Sequence, residues 1–201
     1  MSEIDEVAVH QPVRHKWTYV EMLVSSILSL TASLVLSIDA WKLAANPNTA
    51  LSCNISATLN CGKVALAWQS TLLGWPNAFL GLMAEPVVIT LAIAALGGSK
   101  FRRGFLLTAQ GIYVVGFAFA YWLFYQSYFH IGALCPWCLL VTFTTTTVFM
   151  TMTRVNILDN NFRFPPKLQA RLERLLALNA DTGTVLLLWA TLASLIIFHY
   201  A

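Results

Sequence analysis

Charge is what this sequence has least of. Only 10% of its 201 residues are Asp, Glu, Lys or Arg, and between Arg103 and Arg154 there is none at all. A soluble globular domain carries about 25% charged residues, so a chain wholly surrounded by water is excluded. The net charge of +3 is small and no basic run is interleaved with aromatics, which argues against a nucleic-acid partner. There is no internal repeat and no low-complexity stretch. The first 16 residues are polar and lead into no small-residue cleavage site, so no cleaved leader is expected. The apolar runs also lack a period of two, which rules out strands as their basis.

What remains is hydrophobic: 58% of the residues, with a mean hydropathy of +0.67. A helix needs about 20 residues to cross a bilayer, and five segments qualify. They run from Tyr19 to Leu43, from Asn77 to Gly97, twice between Arg103 and Arg154 with a break near "SYFHIGALCP", and from Thr182 onward. The expected fold is therefore an all-α integral membrane protein, a four-helix bundle plus a fifth transmembrane helix. Residues 1–18 form an inner polar segment, 19–153 the bundle with an outer loop at 44–76, 154–181 an inner linker, and 182–201 the last span. The short "GGSKFRR" loop predicts that spans two and three are antiparallel neighbours. Placing the N-terminus inside and the C-terminus outside puts Arg14, Lys16, Lys100, Arg102, Arg103, Arg154, Arg163, Lys167, Arg171 and Arg174 on the inner face. Only Lys42 and Lys63 lie outside, a strong positive-inside asymmetry. In the linker, "PPKLQARLERLLALN" sets leucines against Lys167, Arg171 and Arg174, the pattern of a basic helix on an anionic leaflet. An ordinary solvated helix fits the same pattern.

All four cysteines then face outward, where disulfides persist. Cys53 and Cys61 lie in the outer loop; Cys135 and Cys138, in "CPWC", open span four. Proline is favoured at the first helical position, which places Cys135 at the N-cap and Cys138 one turn in. A thiolate at a helix N-terminus is stabilised by the macrodipole and free N–H groups, so Cys135 is the more acidic thiol of the pair. Cys138 points into the bundle, where a membrane-soluble electron carrier can sit. The loop pair can exchange with a soluble dithiol or be a static structural disulfide. Zinc is a poor match, because zinc ribbons favour two close-spaced pairs.

The order of the pairs carries more. A loop pair in "SCNISATLNCG", then "WPNAFLG", then "CPWC" opening a span resembles the vitamin K epoxide reductase family, specifically its bacterial members, from about Ser33 to Thr153. The DsbB-like membrane oxidases have the CxxC first and fit less well. The resemblance implies four helices around a quinone, menaquinone or ubiquinone, near the outer surface of a bacterial inner membrane. It implies that Cys53 exchanges with an extracytoplasmic thioredoxin-like (DsbA-like) oxidoreductase, Cys61 relays to Cys135, and Cys138 reacts with the quinone. Asn77 matches the family asparagine that hydrogen-bonds a quinone carbonyl. Animal members carry a tyrosine four residues after the last cysteine; here it is Thr142. Where the family often has a serine after the loop pair stands Ala67, with Ser70 nearby.

Quinone contacts are expected from Asn77, Phe79 and Thr142, and from a helical stripe of Tyr113, Phe117, Tyr121 and Phe124 that also reads as core packing. Glu85 in span two handles protons or is held by a structural hydrogen bond near Pro86. Asp39 and Lys42 form an interfacial pair or aid thiolate chemistry beneath the loop. His130 stabilises a thiolate or faces water. The resulting expectation is a membrane thiol oxidase. The competing readings are a vitamin K epoxide or quinone reductase, and a non-catalytic scaffold or transporter with structural disulfides.

Overall fold

The computed structural model describes residues 16–200, with side chains through Phe198. Most of the expected inner segment 1–18, Arg14 included, lies outside the described residues. The elements are α1 (Lys16–Ala45), α2 (Cys61–Ala65), a 3₁₀ turn (Trp68–Thr71), α3 (Ala78–Leu96), α4 (Arg103–Gln126), a π turn (Ser127–Ile131), α5 (Pro136–Leu158), α6 (Pro166–Ala177) and α7 (Ala180–Tyr200). There is no strand among the described residues, only the isolated bridges Asn54↔Asn60 and Leu59↔Leu134. Five helical segments are long and apolar enough to span a bilayer: α1, α3, α4 with its π turn, α5 and α7. Their ends differ modestly from expectation: α5 runs on to Leu158 and α7 starts at Ala180.

The helices are built inside out. Along α1 the buried stripe is Ser26, Ser29, Ser33 and Ser37, while Ile27, Leu34 and Ile38 are exposed. Lipid tails are as apolar as leucine, so packing between membrane helices is driven by close approach and small residues. At Gly81 on α3 this approach is extreme: a Cβ there would overlap Ser33 Oγ and come within 2.8 Å of Ser33 Cβ. Helix α5 buries Thr142, Thr144–Thr147 and Thr151. β-Branching normally lowers helix propensity, but the hydroxyls of Thr142, Thr144, Thr146, Thr147 and Thr151 donate to carbonyls of the preceding turn, Thr146 to Thr142 O at 2.8 Å and Thr144 to Leu140 O at 2.8 Å. A hydroxyl hydrogen bonded in this way is not left bare in hydrocarbon.

α1 packs against both α3 and α5, and α4 packs on α5. Spans two and three follow each other through a short loop and meet through side chains, Tyr113 of α4 donating to Glu85 of α3 and Leu106 sharing a buried cluster with Val88 and Leu91, but their backbones stand apart. The space between them is the cavity described below. At the opposite end Gln110, Thr153, Asn156 and Asn161 form a hydrogen-bonded chain, and Arg154 pairs with Asp181 at 2.8 Å to tie α5 to α7. The expected inner amphipathic helix is α6, with Gln169 donating to Ile157 O at 2.7 Å.

Candidate active site

All four cysteines gather at one end of the bundle, and local sequence explains how. Cys135 takes extended backbone angles, φ −109° and ψ 119°, and caps α5, with Pro136 in the first turn. Its sulfur accepts from the Cys138 N–H at 3.4 Å. Before it, the π turn ends at Gly132, whose φ of 63° reverses the chain and suits a residue without Cβ. That frees residues 133–135 to run alongside the outer loop. Leu134 N donates to Thr58 O at 2.7 Å and Asn60 N donates to Leu134 O at 2.9 Å. Asn60 also caps α2, its Oδ1 accepting from Lys63 N at 2.8 Å, and Asn54 Oδ1 accepts from Gly62 N at 3.0 Å. Loop and helix start are thus pinned to each other by backbone bonds.

The result is a row of sulfurs. Cys53 and Cys61 are disulfide-bonded, and Cys135 Sγ stands 3.2 Å from Cys61 Sγ. Cys135 and Cys138 are free thiols. A separation of roughly 3–3.5 Å is that of a near-attack pair, so Cys135 is placed to exchange with Cys61. The Cys135 thiol is held below the ordinary cysteine range by its hydrogen bond with the Cys138 side chain. The Cys138 and Trp137 N–H groups add to this, and together they outweigh burial and the nearby Asp39 carboxylate. Cys53 and Cys61 are buried, 6% and 1% exposed, in a cluster with Leu43, Leu51 and Val64. Little of either sulfur-bearing side chain reaches the surface in this arrangement.

Below the sulfurs lies a cavity of about 1000 Å³, lined mostly by apolar side chains and reached by Cys61, Cys135 and Cys138. Residues of α2, the 3₁₀ turn and Trp75 roof it, and the facing sides of α3 and α4 wall it. Exposed Ile112 and Val115 of α4 are part of that wall, so the cavity communicates with the lipid-facing surface between α3 and α4.

Of the candidate quinone contacts, Asn77, Tyr113 and Thr142 line this cavity. Asn77 donates from Nδ2 to Gln69 O at 2.6 Å, while its Oδ1 is buried without a partner, as is Gln69 Oε1. Thr142 donates to Cys138 O at 3.0 Å, and Tyr113 donates to Glu85 Oε2 at 3.1 Å. Phe79, Phe117 and Tyr121 do not line it. Phe79 stacks on Trp75 beside an outer groove with Ile38 and Trp41. Phe117 packs on Phe149, and the Tyr121 hydroxyl lies 3.1 Å from Thr146 Oγ1. The stripe of tyrosines and phenylalanines predicted from four-residue steps rotates by about 40° per step on a helix of 3.6 residues per turn, which carries it off the cavity. Phe124, its last member, does reach the lining, as do Phe119 and Ala120.

Glu85 is buried at 3% exposure on the cavity wall, where Tyr113 donates to it and Ser26 and Ser29 of α1 stand within reach. His130 is exposed on the π turn beside Tyr125. Asp39, 5% exposed, has one carboxylate oxygen 3.8 Å from Cys53 Sγ and the other 3.6 Å from Lys42 Nζ. Gln69 was not anticipated; its unsatisfied oxygen is invisible without the fold. No group of metal-ligating residues occurs among the described residues.

No curated protein matches the chain. The model of the vitamin K epoxide reductase family matches residues 20–153, which span α1 to α5 and contain all four cysteines. With well over half its length matched, this five-span helical membrane protein belongs to the vitamin K epoxide reductase family, whose members are oxidoreductases.

Proposed function

We propose that the protein is a bacterial, DsbB-like membrane thiol oxidase. It takes two electrons at a time from an extracytoplasmic thioredoxin-like (DsbA-like) partner and delivers them to a membrane quinone, menaquinone or ubiquinone. The observation that carries this is the 3.2 Å between Cys61 Sγ and Cys135 Sγ, with Cys138 on the wall of an apolar cavity. The cavity suits a quinone: it is roomy, and the buried Asn77 Oδ1 and Gln69 Oε1 lack partners. Buried acceptors of that kind call for a donor, which a hydroquinone hydroxyl supplies, while the second Asn77 amide hydrogen suits a carbonyl. When bound, the quinone accepts the two electrons and two protons of a dithiol.

Each step conserves electrons. The partner's dithiol reduces the Cys53–Cys61 disulfide and leaves as a disulfide. Cys61 thiolate attacks Cys135 of an oxidised Cys135–Cys138 pair, and closure of Cys53–Cys61 then restores the loop disulfide and leaves Cys135 and Cys138 reduced. That last state matches the bonding seen here. The Cys135–Cys138 dithiol is reoxidised at the quinone. In this reading the residues 19–153 form the catalytic unit, with Cys53, Cys61, Cys135 and Cys138 as its redox groups and Asn77, Tyr113 and Thr142 as quinone contacts. The N-terminus lies inside, the C-terminus outside, and the cysteines face the periplasmic or extracytoplasmic side of the bacterial membrane. Residue 142 is a threonine, its hydroxyl donating to Cys138 O, where animal members carry a phenol, and this difference favours quinone over epoxide.

The test is oxidation of a reduced thioredoxin-like protein by the purified full chain, followed with and without added quinone. Quinone-dependent turnover is expected for wild type and its loss, by at least 100-fold, in Cys135→Ser. Unchanged turnover in Cys53→Ala or Cys61→Ala would overturn the relay.

A further inference from the structure

The relay contains a step for which Cys53 needs a base. To close the loop disulfide, Cys53 must attack Cys61 as a thiolate, yet it is buried among Leu43, Leu51 and Val64, surroundings that hold a thiol protonated. Among the described residues, one carboxylate is in reach of its sulfur. Asp39 Oδ2 lies 3.8 Å from Cys53 Sγ, from the outer end of α1 beneath the loop. Its other oxygen faces Lys42 Nζ at 3.6 Å, and Lys42 is itself largely exposed. A carboxylate that is 5% exposed is kept only where something uses or neutralises it; a half-solvated lysine one turn away neutralises it without sealing it.

We propose that Asp39 is the general base that takes the Cys53 proton in the step that closes the Cys53–Cys61 disulfide. This rests on the thiol-relay reading above. In the mixed-disulfide state Cys61 is bonded to Cys135. Asp39 accepts the proton from Cys53 Sγ; the Cys53–Cys61 bond forms as the Cys61–Cys135 bond breaks, and the electron pair leaves on Cys135 as a thiolate. No external oxidant enters this step. The same carboxylate opposes negative charge on Cys135. Once protonated it no longer does so, and one proton transfer therefore prepares the nucleophile and eases departure of the leaving group. Lys42, Cys53 and Cys135 are the titratable groups facing Asp39 from α1, the loop and the start of α5.

The experiment is a single oxidation of the fully reduced full-length protein, quenched in acid, with free thiols mass-tagged and disulfides located by mass spectrometry. Menadione is one oxidant and diamide a second. In wild type, Cys135–Cys138 forms first and Cys53–Cys61 follows. In Asp39→Asn, Cys135–Cys138 is expected at the wild-type rate, but the Cys61–Cys135 species persists and loop closure slows by 10-fold or more near neutral pH. The deficit narrows as the pH is raised and solvent hydroxide deprotonates Cys53, and Asp39→Glu restores most of the rate. Closure at the wild-type rate in Asp39→Asn, or a slowdown with an unchanged pH profile, overturns the proposal. So does loss of Cys135–Cys138 formation in both variants, which makes Asp39 a structural residue. Failure of menadione alone, with diamide still supporting the sequence of bonds in wild type, counts against the quinone reading and leaves the role of Asp39 measurable.

Discussion

At the scale of single residues the chemistry is set by who donates to whom around Cys135. Its thiol sits below the ordinary range, first because the Cys138 side chain bonds to it and then because the Cys138 and Trp137 N–H groups aim at it. A lowered pKa means that the thiolate is already present at pH values where an ordinary cysteine, titrating near 8.5, is still protonated. Attack by Cys135 should therefore rise with pH and level off early. Cys138→Ala removes the leading cause, and the midpoint of the pH–rate profile for iodoacetamide alkylation of Cys135 should move up. Cys138→Ser keeps a donor in place and should hold the midpoint nearer wild type. A profile identical in all three would mean that the helix N-terminus alone sets the acidity. The cysteines and the N-cap were legible in sequence because proline in the first turn fixes the cap. Asn77 and Thr142, both of which line the cavity, came from the family resemblance: Asn77 from the "WPNAFLG" motif, and Thr142 as the position where animal members carry a tyrosine. Phe79 does not line the cavity, since it sits about 200° around the helix from Asn77 at roughly 100° per residue and so faces away.

At the scale of elements, the five spans could be read from hydrophobic length alone, whereas their packing could not. A short loop between spans two and three speaks for side-by-side packing, yet α3 leans on α1 and α4 leans on α5. The physical reason is in the small residues. The α1 serines and Gly81 let α1 and α3 approach so closely that no Cβ fits at Gly81, and that contact pulls α3 away from α4 and leaves the cavity between them. Nothing in a single sequence says which of many serines and glycines will meet. The claim has a direct test in Gly81→Ala, whose new methyl must displace Ser33. Overpacking of this kind typically costs about 1–3 kcal/mol, and the melting temperature of the purified protein should fall accordingly. Ser33→Gly in the same chain removes the Oγ and Cβ that clash and should return much of the loss. If Gly81→Ala melts like wild type, or if the double variant is no better than the single one, close α1–α3 packing is not what shapes the cavity.

At the scale of the whole molecule, charge and sulfur occupy opposite ends. Lys100, Arg102, Arg103, Arg154 and the basic residues of α6 flank the end where α3 and α5 finish and α4 begins. Cys53, Cys61, Cys135 and Cys138 share the other end with Lys42 and Lys63. Positively charged loops stay on the cytoplasmic side of a membrane, so the proposed orientation sets the basic end inside and turns the sulfurs toward the compartment in which disulfides last. An odd number of spans then sends the two termini to opposite sides. Two exposed positions report on this directly: Asn48 in the cysteine-bearing loop and Ser99 in the basic loop. In a chain whose four native cysteines are replaced by alanine, Asn48→Cys should react with a membrane-impermeant maleimide on intact cells. Ser99→Cys should react only after the membrane is opened. The opposite pattern would place both cysteine pairs in a reducing cytosol, where glutathione and thioredoxin would hold them as thiols. A quinone-coupled route for making disulfides would then have no exported substrate to serve.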